Sequence, residues 1–152
     1  MGFRFTFEAA QLDERNWVYD FGNCGWIKKY LEIEFDHRLV VAEDDPHLEW
    51  IRGLPDIADI NVVKDTGCEK FAEKVYNYVQ PKVYEDTKGR VNLYSVEVFE
   101  HGANSAVYIN PYGSSVIYQC LFGSKNKDGV GFLNERISKW IVFPWERSTG
   151  AM

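Results

Sequence analysis

The chain is expected to fold as an α+β domain, an antiparallel sheet with two amphipathic helices packed on one face. Three observations predict it. Phe3, Phe5 and Phe7 alternate with Arg4, Thr6 and Glu8, the period-two pattern of a strand buried on one side. Apolar residues recur at helical spacing between Cys24 and Phe35, and again at Phe71, Val75 and Val79. Strand-like runs then follow the second helix, from Val91 to Phe99 and from Ala106 to Ile109.

Taken in order, the first strand spans Phe3 to Glu8, LDERNW turns the chain, and VYDF reads as a short strand or a continuation of the first. The first helix sets Trp26, Ile27, Tyr30, Leu31, Ile33 and Phe35 against Lys28, Lys29, Glu32 and Glu34, about three turns long, with Asp36 and His37 at its C-terminal end. Pro46 and Pro55 mark turns around a short helix at His47 to Ile51, and a brief strand is expected near Ile60 to Val63. In T-G-C-E, Thr66 reads as an N-cap with Glu69 reaching back in a capping box, opening a helix that Pro81 should stop near Gln80. The polar turn DTKGR leads into the two later strands. Residues 1–110 thus form one domain, and 111–152 an accessory β-rich extension, a hairpin or an oligomer contact, with SSVIYQCLF and WIVF as its strands.

Composition narrows the function. At 152 residues the chain is long enough to bury a core without staples, and 45% hydrophobic and 16% aromatic residues argue against a disordered chain. A net charge of -6 argues against nucleic acid or an anionic membrane surface as partner. No apolar run is long enough to span a bilayer, and MGFRFTFEAA alternates where a signal peptide would be solidly apolar, so a cytoplasmic location is expected. Cys24, Cys68 and Cys120 are an odd, unpaired set and are expected to be reduced.

The chemistry concentrates in two places. Asp36 and His37 form a carboxylate-imidazole pair suited to proton transfer near neutral pH, the Asp fixing the ring's tautomer and stabilising its charged form. Glu100, at the end of a strand in VEVFEHGANSAVY, is placed to anchor a polar heterocycle. Plainer readings stand beside these. Asp36-His37 also fits a helix C-terminus where His meets the last carbonyls, Glu69 a simple capping residue, and Glu100 an exposed strand-end acid. Cys24 and Cys68 fit buried small apolar residues better than nucleophiles, and Glu43, Asp44 and Asp45 a solvated loop.

Three segments, WVYDFGNCGWIKKYLEIEFDHRL, TGCEKFAE and VEVFEHGANSAVY, together resemble the 6-pyruvoyltetrahydropterin synthase / 6-carboxytetrahydropterin synthase (QueD) family, in order and with family-like spacing from Phe3 to Asn110. The resemblance implies the tunnelling fold and a lyase acting on 7,8-dihydroneopterin triphosphate, in the route to queuosine and related deazapurines or to biopterin. It implies acid-base catalysis by Asp36 and His37, and a pterin anchored on Glu100 through paired charge-assisted hydrogen bonds, with Gly67, Cys68 and Glu69 lining the site at the helix start. A homo-oligomer with sites between subunits is implied as well.

The departures are as informative. The family holds zinc with one His on a first strand and two in a His-Gly-His turn leading into the second, its catalytic Cys just before that turn. Here FRFTFEAAQLDERNW resembles the second strand, so the first strand, that Cys and the three ligands are missing. His37, His47 and His101 show no ligand spacing, so zinc is expected for the family and its ligands are absent from this chain. An in-frame strand encoded before Met1 would restore them. Gly67 and Cys68 also stand where the family has Thr and a small residue. Three readings remain open: a 6-carboxytetrahydropterin synthase-like enzyme, a pterin- or purine-binding module without chemistry, and a structural oligomer subunit.

Overall fold

The computed structural model describes residues 1–54, 59–100 and 104–111, and the backbone of 138–143. In chain order the elements are β1 (Gly2–Ala9), a single 3-10 turn (Phe21–Cys24), α1 (Gly25–Phe35), β2 (Arg38–Ala42), α2 (Leu48–Arg52), β3 (Asp59–Val63), α3 (Cys68–Asp86), β4 (Val91–Glu100), β5 (Asn104–Ile109) and β6 (Ser138–Phe143). One sheet has the order β5-β4-β1-β6 with antiparallel pairings throughout; β2 and β3 form a separate parallel pair. The α+β architecture expected from the sequence is therefore present.

The alternation in β1 does what its period predicts. Phe3, Phe5 and Phe7 are buried and share one core with Ile27, Tyr30 and Leu31 of α1 and with Phe71, Val75 and Val79 of α3. In β4, Val96 and Val98 stand opposite Phe5 and Phe3 on this same side. Thr6 pairs with Ser95 but Phe7 with Leu93, so Tyr94 is the extra residue of a bulge that keeps both ends of β4 facing the core.

Several expectations are corrected. Val18 to Phe21 is not a strand. Asp13 Oδ1 accepts from the Arg15 and Trp17 amides, and Asp20 Oδ1 from the Gly22 amide at 2.8 Å, so carboxylates fold the segment into turns. Val18 and Tyr19 still reach the core from this irregular backbone. The N-cap of α3 is Gly67 rather than Thr66, with no side-chain capping bond. Gly67 has φ +110°, a conformation that costs a residue without Cβ little, and this backbone turn replaces the capping box.

Pro81 does not stop α3, which runs on to Asp86. Pro81 and Asn77, whose carbonyl the proline cannot bond, both lie on the exposed side of the helix, away from the packed face. The buried side of the helix continues through Val79 and Val83, and Gln80 binds β4 by accepting from the Leu93 amide and donating to Asn92 Oδ1. β2 was not anticipated, and pairs in parallel with the expected β3 from Arg38↔Asp59 to Ala42↔Val63. Of the extension, 112–137 lies outside the described residues, while 138–143 forms the sheet edge beside β1, from Phe3↔Phe143 to Glu8↔Ser138.

Candidate functional site

The end of the sheet where β1 begins and β4 finishes gathers the candidate residues. Gly2 pairs with Phe99, which puts Glu100 at the rim of this end, exposed as the last residue of β4. The start of α3 arrives at the same place. Burial pushes the Cys68 thiol pKa up, and the nearby carboxylates of Glu100 and Glu69 raise it further, so Cys68 is a neutral thiol beside two acids. Glu69 Oε2 lies 3.4 Å from where a Cβ on Gly67 would be, folded back over the bare backbone of the helix start. Glu100 is thus within electrostatic range of Cys68, which sits between Gly67 and Glu69 at the helix start.

Asp36 and His37 stand on the neighbouring helix end. Phe35, the last residue of α1, packs its ring 5.1 Å from Phe3 and 5.3 Å from Phe71, one turn into α3 from Cys68. The Asp36 amide closes the helix on Glu32 O at 3.1 Å, and the chain then leaves through His37 in the left-handed region, φ 52°. That turn throws the imidazole outward: its side chain is 90% exposed, and Nδ1 meets Asp36 Oδ1 in a very short contact. With the proton on Nδ1 donated to the carboxylate, Nε2 is left as a base open to an incoming molecule.

A positioning network escaped the sequence. Glu34 Oε2 accepts from Lys74 Nζ of α3 at 2.5 Å and from Asn61 Nδ2 of β3 at 3.0 Å, and the same amide donates to the Glu34 carbonyl at 2.9 Å. Burial raises the Glu34 pKa, but the Lys74 and Asn61 hydrogen bonds outweigh it and hold the carboxyl below its usual range. The last turn of α1 is thereby fixed to both α3 and β3, two residues before Asp36. Partners 27 and 40 positions away leave no local signal to find it by.

Cys24 is a poor nucleophile in this setting. It is buried, and desolvation with the Asp20 carboxylate pushes its thiol up to about 12. The zinc that the resemblance implies finds no matching donors: among the described residues, no group of three or more His, Cys, Asp and Glu side chains is arranged to hold a metal ion. His47 precedes α2, and His101 lies outside the described residues. No described helix is long and apolar enough to cross a membrane.

Comparison with known proteins adds three findings. A family model described as 6-pyruvoyl tetrahydropterin synthase matches residues 1–111. Among solved structures, the chain is similar to the crystal structure of an uncharacterized protein, WS1659, from Wolinella succinogenes, with 21% identity and a TM-score of 0.57 over 68% of this chain and 73% of that one, a likeness of fold. No curated protein matches the chain.

Proposed function

Because the chain belongs to the 6-pyruvoyl tetrahydropterin synthase family, we propose that the Glu100 end of its sheet is a pterin site and that Asp36 and His37 exchange protons with the bound ligand. The observation that carries this reading is that Glu100, at the end of β4, lies within electrostatic range of Cys68 at the start of α3, the two elements being drawn together through Phe3, Phe35 and Phe71. An ionised carboxylate accepts two parallel hydrogen bonds from the 2-amino and N3-H groups of a pterin, which makes it selective for that edge.

The reaction proposed is that of a 6-carboxytetrahydropterin synthase-like lyase on 7,8-dihydroneopterin triphosphate, in the route to queuosine and related deazapurines. In it His37 Nε2 takes or returns a proton on the substrate side chain while Asp36 holds the ring and its charge. A homo-oligomer in which a second copy completes the site belongs to the same proposal. A pterin-binding module without turnover is the second reading, favoured by the donor set, which offers no place for the family's metal among the described residues.

Ligand selectivity tests the site itself. Lumazine keeps N3-H but replaces the 2-amino donor with a carbonyl, so one of the two charge-assisted hydrogen bonds becomes a repulsion. Losing a bond worth about 1.5–3 kcal/mol should weaken binding by on the order of tenfold or more relative to pterin. Fluorescence titration giving equal affinities would remove a carboxylate from the recognition edge. Turnover of dihydroneopterin triphosphate that vanishes in His37→Ala, with pterin binding intact, would favour the enzyme over the binding module.

A further inference from the structure

β1 is held on both sides. It pairs with β4 from Gly2↔Phe99 to Ala9↔Val91 and with β6 from Phe3↔Phe143 to Glu8↔Ser138. A strand interior to a sheet has no edge left to offer another.

The family resemblance implies a metal-bearing strand joined to a β1-like strand through a tight His-Gly-His turn. Strands joined by a tight turn pair antiparallel with each other, so such a strand needs the edge of β1 that β4 does not use. In this chain that edge belongs to residues 138–143, and their sequence, SKWIVF, contains no His, Cys, Asp or Glu. Inside the sheet, Glu97 of β4 is committed to Arg4 of β1 at 2.5 Å. The ligand-poor composition and the filled edge are independent observations that point the same way.

We infer that residues 138–143 take the place of the metal-bearing strand, so that the C-terminal segment completes the sheet and the Glu100 end receives its heterocycle without zinc. The inference rests on the pterin-site reading for the identity of the ligand, and on the sheet register for everything else. It makes 138–143 part of the folding unit rather than an appendage.

Amide exchange on the full chain reads the edge directly. In an interior strand successive N–H groups point to opposite neighbours and all are bonded, so the amides of Arg4 to Phe7 should be protected without alternation. Rapid exchange of every second amide in that stretch would show an open edge and overturn the inference. Ile141→Pro and Val142→Pro sharpen the test, since one of two successive edge N–H groups must face β1. One of these variants should release the β6-facing amides of β1; release by neither counts against it.

The zinc statement has its own readout. Full chain expressed with added zinc and then desalted should retain far less than one zinc per chain, and 7,8-dihydroneopterin should bind equally well with and without dipicolinate. Stoichiometric zinc, or binding lost on chelation, would overturn it. Failure to bind the pterin under either condition would instead sink the pterin-site reading, while the exchange and metal measurements would still judge β6.

Discussion

Lys74 Nζ donates to Glu34 Oε2 at 2.5 Å across the contact between α3 and α1, and through it the helix that begins at the Cys68 rim holds the helix that ends at Asp36. A long-range ion pair thus sets the relative placement of the two halves of the candidate site. Its partial burial, with 35% and 22% of the two side chains exposed, makes it stronger than a solvated surface pair.

Removing the cation should be measurable. Lys74→Met is expected to cost about 1 kcal/mol, the worth of a charged hydrogen bond discounted for partial exposure, or roughly 3 °C in melting temperature. The pH dependence has a definite sign. Glu34 is held below its unfolded value, so its contribution is complete above about pH 4.3 and is lost as pH falls through the lower folded value. In acid melts the wild type and Lys74→Met should therefore converge; a gap that stays constant down to acid denaturation would contradict the pairing.

Burial separates the aromatic residues. Phe5 is fully buried with Val96 of β4 opposite it in register, and Phe5→Ala should cost about 3–5 kcal/mol in urea denaturation. Trp50 on α2 is 67% exposed, and Trp50→Ala should stay within about 0.5 kcal/mol of wild type. Similar losses at the two positions would mean that the core is wrongly placed.

Pro81 lies within α3 without terminating it, so replacing it should help the fold. Pro81→Ala restores an amide that can bond the Asn77 carbonyl and relieves the ring's crowding of the preceding turn, against a smaller loss from greater freedom of the unfolded chain. A rise in stability of about 1 kcal/mol is expected in thermal melts. A fall would show that the helix depends on the proline.

Gly67→Ala should act at the site. At φ +110° a Cβ is strained, and the change is expected to cost about 1–2 kcal/mol and, by shifting the helix start, to weaken pterin affinity. Unchanged stability in urea denaturation would argue against this turn.

What the sequence disclosed follows the range of each interaction. β1, α1 and the body of α3 were legible because their patterns are local: alternating Phe residues, and apolar residues at helical spacing. The pairing of Asp36 with His37 was legible as neighbours in sequence. β2 was hidden because RLVVA lacks a clean alternation and its parallel partner β3 lies beyond the intervening α2. The end of α3 was misplaced because Pro81 is a local stop signal, overridden by Val83 and by the Gln80 bonds to β4. Thr66 offered a standard capping pattern, yet the backbone freedom of Gly67 decided the helix start. The place of 138–143 beside β1 could not be read at all, since register between such distant strands leaves no trace in either one.

Calorimetric titration of 7,8-dihydroneopterin into the wild type and Glu100→Gln tests the central claim most directly. The neutral amide keeps the shape of the side chain but loses the charge that strengthens both hydrogen bonds and presents a donor to the ligand's own donors. Affinity is predicted to fall by on the order of tenfold or more. Equal affinity of the two proteins would show that Glu100 does not hold the heterocycle.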